Sequence, residues 1–361
     1  MVADGAGPNT GISPYSLFTV LAMARAGANG ATAAQIDTAL RAEGIDGQGA
    51  VISAVDAGIE AAIAASRIPG SDLAPIVLQS ANQTWVQDGF AVRQEYLDAL
   101  AVQYGVEAMA ADFAGDPEGM RTAINAWVSE RTNDLIPELF PDGSINPATV
   151  LVLVNALYFK GLWALPFNAP QTGRFTTGSG ARITTKLMTT IKPVPGVVGD
   201  GWTAGSIPYL GELAAMTVLV PDSGRFDEVV EDFDPAALAL ASKSDAQVQV
   251  TMPTFSLRSV PDAKAIAEEL GIVDIFVPGT ADLSGIAPGG LFADAFVHQT
   301  VVKVDENGTE AAAATGMAIA ESAPMVDLEL TVDRPFLFWI SETTTGAPLF
   351  LGAVTDPSDV A

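Results

Sequence analysis

The chain has 361 residues, enough for one large domain or two of ordinary size. With 43 acidic against 17 basic residues its formal charge is -26, which excludes capture of nucleic acid or an anionic membrane by bulk electrostatics. It holds no cysteine, so disulfides, thiol nucleophiles and thiolate metal sites are excluded, and a single histidine, His298, excludes a multi-histidine metal centre.

Residues 1–12 are Gly/Ala/Asn-rich and read as a loop or frayed end, with no basic segment followed by an apolar core of the kind a signal peptide shows. A helix begins at Ser13-Pro14-Tyr15-Ser16: Ser13 can cap it, Pro14 fits its first position, and Leu17, Val20, Leu21 and Ala24 recur at helical spacing. Further helices are expected over Thr32–Leu40, 48–66, Gln94–Tyr104 and Pro117–Leu139. Ile76–Val86 alternates as a strand. Thr149–Phe159 is the strongest strand signal, apolar on both faces and so suited to the middle of a covered sheet, with Lys160-Gly161-Leu162-Trp163 ending it. From Arg174 strands dominate: Ile183–Met188, Thr203–Tyr209, Ala214–Val220, Gln247–Thr251 and Phe255–Val260, then, after a helix at Asp262–Leu270, Leu328–Val332, Phe336–Ser341 and Leu349–Val354. Helices come first and strands later without βαβ alternation, which predicts an α+β protein. No linker or internal repeat divides the chain, so one domain over 1–361 is expected. No uninterrupted apolar run reaches the roughly 18 residues of a membrane span.

One stretch resists ordinary reading. Val304-Asp305-Glu306-Asn307-Gly308 is turn-like, and Thr309–Ile319 then consists almost wholly of very small residues. Alanine content favours a helix. A surface loop and a strand remain open. At period 2, Thr309, Ala311, Ala313, Thr315, Met317 and Ile319 share an uncharged face, with Glu310, Ala312, Ala314, Gly316, Ala318 and Ala320 opposite.

No catalytic constellation emerges. A serine hydrolase would need His298 as its base, and no G-x-S-x-G elbow is present. His298 sits in an apolar neighbourhood and reads as a hydrogen-bonded structural residue. Asp305-Glu306-Asn307-Gly308 lacks the spacing of a calcium loop and reads as a turn. The chain is therefore not expected to be an enzyme or to need a metal or other cofactor.

The chain nevertheless resembles a known family, the serpins, from about Gly11 to Asp356. The resemblance rests on Ser13-Pro14-Tyr15-Ser16 with Leu21–Ala28, Leu153-Val154-Asn155-Ala156-Leu157-Tyr158-Phe159-Lys160-Gly161-Leu162-Trp163 with Pro166-Phe167, and Pro253-Thr254-Phe255. Leu270-Gly271-Ile272, Ala281-Asp282-Leu283-Ser284-Gly285, Asp333-Arg334-Pro335-Phe336-Leu337-Phe338 and Leu349-Phe350-Leu351-Gly352 continue it in order. Glu306–Thr315 is similar to the reactive-loop hinge of inhibitory members. The resemblance implies three β-sheets, about eight or nine helices and an exposed reactive-centre loop over about 306–327. It implies a suicide-substrate inhibitor: a target serine protease cleaves the loop, which inserts into the main sheet and traps the acyl-enzyme. A non-inhibitory serpin-fold binding protein is the alternative.

Residue by residue, the resemblance implies a hinge of Glu306, Gly308, Thr309, Glu310, Ala311, Ala312, Ala313, Ala314 and Thr315. It implies a polar latch of Ser13, Ser16, Asn155 and His298 beneath the opening sheet, with Trp163 where insertion starts. Counting about seventeen residues from Glu306, as inhibitory members do, the resemblance implies a scissile bond at Ser322-Ala323; counting back from Pro335 puts it one to three residues later, and Glu321-Ser322 is a further alternative. A small residue before the bond implies an elastase-like or subtilisin-like target. The family also implies action outside the cell, though a cytoplasmic location stays open; a monomer is expected, and the charge argues against a nucleic-acid or membrane partner. One departure is that the family's first helix should precede Ser13, where only 12 residues remain.

Overall fold

The computed structural model describes residues 5–68, 76–232, 241, 243–293, 296–309 and 326–359. The chain opens with β1 (Thr10–Ile12), three residues of strand where the sequence read as loop. Helix α1 (Pro14–Arg25) starts as expected: the Ser16 amide donates to Ser13 Oγ at 3.2 Å and Pro14 occupies the first turn. Helices α2 (Gly30–Leu40), α3 (Gly44–Ser66), α4 (Gln94–Tyr104) and α5 (Pro117–Arg131) follow, with strands β2 (Ile76–Gln87) and β3 (Ala108–Ala111) among them. By composition Gly30–Ser66 is apolar enough to cross a membrane, but it is two helices, broken where Arg41 and Gly44 turn to positive φ. Helix α5 is shorter than the expected Pro117–Leu139. Asn133 and Asp134 adopt left-handed φ of 51° and 61°, which stops the helix, and the chain continues as turns.

Strand β4 (Leu151–Leu162) runs through Lys160-Gly161-Leu162, three residues beyond the expected end. After it come β5 (Gln171–Thr176), β6 (Arg182–Thr189), β7 (Val194–Gly199), β8 (Trp202–Pro208), β9 (Ala214–Pro221), α6 (Phe226–Glu231), β10 (Gln247–Pro253) and β11 (Phe255–Ser259). Helix α7 (Ala263–Glu269), a 3₁₀ turn at Asp274–Phe276, β12 (Thr300–Asp305), β13 (Gly308–Thr309), β14 (Leu328–Thr331), β15 (Phe336–Glu342) and β16 (Pro348–Val354) complete the fold. Among the described residues there are thus seven α-helices, against the expected eight or nine.

The sheets are those of the expected α+β architecture. One has the order β11-β12-β13-β4-β2-β3. A second runs β1-β16-β15-β9-β8-β7 and is joined, through a two-residue pairing of β7 with β10, to a third containing β10, β14, β6 and β5. The main core lies between the first two: Leu157 and Phe159 of β4 pack with Met216, Phe338 and Ile340 of β9 and β15. Helices α1, α2 and α4 cover the lower part of that β4 face, below Leu153. Helix α5 covers the opposite face, over Trp85, Val152 and Val154. This double covering is why β4 is apolar at nearly every position.

Candidate functional site

Two groups of side chains bracket β4. The first lies at its C-terminal end. Here β12 and β13 form a hairpin whose turn is Asp305-Glu306-Asn307-Gly308, closed by the Asn307 and Gly308 amides donating to Asp305 Oδ1 at 2.7 and 3.2 Å. Burial raises the Asp305 carboxyl above its ordinary value even though those amides oppose the shift. The side chain is thus spent on its own turn, as the sequence indicated.

The second strand of this hairpin is two residues long and doubly paired. Gly308 and Thr309 bond antiparallel to Asp305 and Val304 on one side and to Leu162 and Gly161 of β4 on the other. Among the described residues, β4 and β12 pair with no other strand on their facing edges. The insertion is tight: a Cβ at Gly308 would meet the Gly161 carbonyl oxygen at 1.9 Å. Thr309 is 2% exposed, and its Oγ1 lies 2.6 Å from the hydroxyl of Tyr209, which follows β8. Burial raises the Tyr209 phenol well above its usual range. Trp163 stacks on the Tyr209 ring, centroids 4.5 Å apart and planes 14° apart. Its Nε1 donates to the Asp305 carbonyl at 2.9 Å and its amide to the Asn307 carbonyl at 3.0 Å, while the Phe167 amide donates to the Glu306 carbonyl at 2.8 Å. Trp163 therefore holds the hairpin turn to the end of β4.

This geometry revises one expectation. The start of the hinge, Gly308 and Thr309, is buried strand rather than exposed loop. Glu310, Ala311, Ala312, Ala313, Ala314 and Thr315, together with Glu321, Ser322 and Ala323, lie outside the described residues.

The second group lies under the middle of β4, at the start of α1. Ser13 and Ser16 are buried, and the Ser13 amide donates to His298 Nε2 at 2.9 Å. Thr300 Oγ1 is 3.2 Å from the same nitrogen. Because Nε2 accepts from an amide, the ring proton of the neutral imidazole sits on Nδ1. Burial lowers the His298 pKa to about 4, so the ring is uncharged at neutral pH. Ser13 Oγ is already engaged with the Ser16 amide. The arrangement is thus a buried hydrogen-bonded cluster of Ser13, Ser16, His298 and Thr300. Asn155 stands on β4 opposite Asn82 of β2, and its Nδ2 donates to Asn82 Oδ1 at 2.5 Å. The structure joins Ser13, Ser16 and His298 directly, and it places Asn155 in the neighbouring strand pair. Sequence reading missed Thr300 and Tyr209. Neither carries a motif, and Tyr209 meets Thr309 only across 100 residues of chain.

Comparison with known proteins agrees with this architecture. The family model for serpins (serine protease inhibitors) matches residues 1–357. The chain is 35% identical to the leukocyte elastase inhibitor of Bos taurus, over 97% of this chain and 93% of that one. It is 32% identical to an uncharacterised serpin-like protein of Thermococcus kodakarensis, covering 97% and 81% of the two chains. Among solved structures, Arabidopsis serpin 1 in its native stressed conformation superposes with a TM-score of 0.82 at 27% identity, covering 99% of this chain and 93% of that one.

Proposed function

The chain belongs to the serpin (serine protease inhibitor) family, and from this premise we propose that it inhibits serine proteases as a suicide substrate. The observation that carries this reading is the two-residue strand of Gly308 and Thr309 standing between β12 and β4. It is the first step of an insertion whose remaining places are set by register. Each residue after Thr309 advances one place toward the N-terminal ends of β4 and β12. Ala311 then faces Phe159 and Val302, and Ala313 faces Leu157 and Thr300. Thr315 arrives between Asn155 and His298, the two members of the polar latch that flank the gap.

The hinge composition suits this path. Thr309 enters a space bounded by Tyr209 and Gly161, and the following residues of that face are alanine as far as Thr315. Insertion would add roughly ten backbone hydrogen bonds, each worth about 0.5–1.5 kcal/mol net. That gain is comparable with the whole stability of an ordinary domain, about 5–15 kcal/mol, so the uncleaved chain is held kinetically. A protease acylated at Ser322 would be carried with the loop before its ester is hydrolysed. The small residues at the bond, and the similarity to an elastase inhibitor, favour an elastase-like target.

The test is to titrate elastase-like, subtilisin-like and trypsin-like serine proteases with the protein. At least one should lose activity stoichiometrically and form a complex that survives boiling in detergent. If every protease cuts the loop and stays active, the inhibitory reading fails and a binding role on the same fold takes its place.

A further inference from the structure

A cavity of about 330 Å³ lies at the N-terminal end of β4, at the opposite end of the strand from Trp163. Its walls include Leu151, Val152 and Leu153 on one side and Phe296 and Val297 on the other. Leu151, Leu153 and Phe296 belong to the layer packed on α1, whereas Val152 and Val297 belong to the layer packed on α5. The cavity therefore reaches both faces of the sheet and sits in its plane, between β4 and the segment leading into β12. Among the described residues no charged one lines it. Ser144 Oγ, on the chain that joins α5 to β4, is buried at its wall and has no hydrogen-bond partner among the described residues.

We infer that this cavity binds a small uncharged aliphatic alcohol, and that its occupant competes with the cleaved loop for the same space. The walls supply an apolar lining of a size suited to a small ligand. Ser144 Oγ is a buried hydroxyl with no partner among the described residues, so an occupant that can hydrogen-bond to it relieves the free-energy cost of leaving it unpaired. The lack of a cation among the described wall residues and the chain's formal charge of -26 disfavour the corresponding carboxylate. Competition follows from register and rests on the insertion reading above. Counting from Thr309 opposite Gly161 and Val304, Met317 arrives between Leu153 and Phe296, and Ile319 arrives opposite Leu151. These are the first large apolar residues of the inserting face, and they arrive at the cavity. An occupant there halts insertion late, after the small-residue hinge has entered, and diverts inhibition toward simple cleavage of the loop.

The probe is n-decanol, kept below its solubility limit, with decane and decanoate as comparisons. Decanol should raise the melting temperature of the uncleaved protein by an amount growing with the logarithm of its concentration. Decane should do so less, and decanoate least. After loop cleavage by a protease that is not trapped, the decanol shift should vanish. Ser144→Ala should weaken decanol binding by about tenfold or less, the worth of one hydrogen bond, without changing protease trapping in its absence. Decanol should also lower the fraction of protease trapped. No shift in the uncleaved protein, or an equal shift before and after cleavage of the parent chain, overturns the inference. If decanol stabilises the uncleaved protein but no protease is trapped even without it, the inhibitory reading fails while the binding site stands.

Discussion

Replacing Thr309 with arginine strikes the account at its narrowest point. Thr309 is 2% exposed, faces Gly161 and shares a 2.6 Å hydrogen bond with the Tyr209 hydroxyl. An arginine there loses that bond and leaves the buried Tyr209 hydroxyl unpaired, a cost of about 1–3 kcal/mol. Its guanidinium must also leave water, which costs several kcal/mol more unless an anion meets it. Because Thr309 is already buried in the uncleaved chain, the arginine variant should first leave the gap, so insertion must bring residue 309 back in; even about 3 kcal/mol at that step slows it more than 100-fold, since about 1.4 kcal/mol is a factor of ten. Hydrolysis of the acyl-enzyme is untouched by the change and so wins the competition. The assay is the number of inhibitor molecules consumed per protease trapped. Thr309→Ser, which keeps the hydroxyl, should match the parent chain, while Thr309→Arg should be cut as a substrate with little detergent-stable complex. Undiminished trapping by Thr309→Arg would refute insertion through this gap.

Other changes probe the neighbouring parts. Gly308→Ala places a Cβ at 1.9 Å from the Gly161 carbonyl oxygen, so the two-residue strand should leave the sheet; limited proteolysis at residues 307–310 should accelerate, and unchanged protection would contradict the close approach. Trp163→Phe removes the bond to the Asp305 carbonyl and part of the stack on Tyr209, for a loss of about 1–3 kcal/mol in denaturant unfolding; no loss would remove Trp163 from its place as the clamp on the turn. His298 titrates at about 4 when folded and near 6.5 when unfolded. The unfolded chain therefore binds the extra proton between these values. The contribution of His298 is whole above pH 6.5 and declines as pH falls toward 4, by about 3 kcal/mol at one pKa unit per 1.36 kcal/mol. Burial also raises the carboxyl of Asp56, which accepts from the Tyr15 hydroxyl, and with Asp305 it acts in the opposite direction, so the measurement is the stability difference between the parent chain and His298→Gln at pH 7 and at pH 4.5. A difference that does not change with pH argues against a buried neutral imidazole.

How much of this was legible in the sequence depended on how local each cause is. Strand β4 was legible because both its faces are covered, which writes an apolar run. Helix α1 was legible because a serine cap and an N-terminal proline act within one turn. Strand β1 was not: three residues in a polar, glycine-containing segment pair with β16 at Gly11 and Gly352, and that partner lies more than 300 residues away. Strand β12 escaped for a related reason. Its β-branched residues Thr300, Val301, Val302 and Val304 favour a strand, but the run is short and passes straight into the Asp305-Glu306-Asn307-Gly308 turn, so it reads as part of that turn. The end of α5 depended on two residues adopting left-handed φ, which Asn and Asp permit without requiring. The candidate site divided in the same way. His298, Trp163 and the small-residue hinge stood out by type or composition. Tyr209, which holds Thr309, had only its place at the end of a strand, and its role arises from packing between distant segments. The period-2 face of Thr309–Ile319 competed with alanine's helix preference, and Thr309 takes the strand state because two partner strands flank it.

The claim at the centre of the account is that cleavage sends the loop between β4 and β12, and amide hydrogen exchange along those two strands tests it most directly. In the uncleaved protein, amides of Leu151–Lys160 and Thr300–Val302 on the facing edges should exchange measurably faster than those paired with β2 and β11. After a protease cuts at Ser322-Ala323, the same amides should become as slow as the rest of the sheet, and the melting temperature should rise with them. Exchange along β4 and β12 that is identical before and after cleavage would contradict insertion, whatever the protease does.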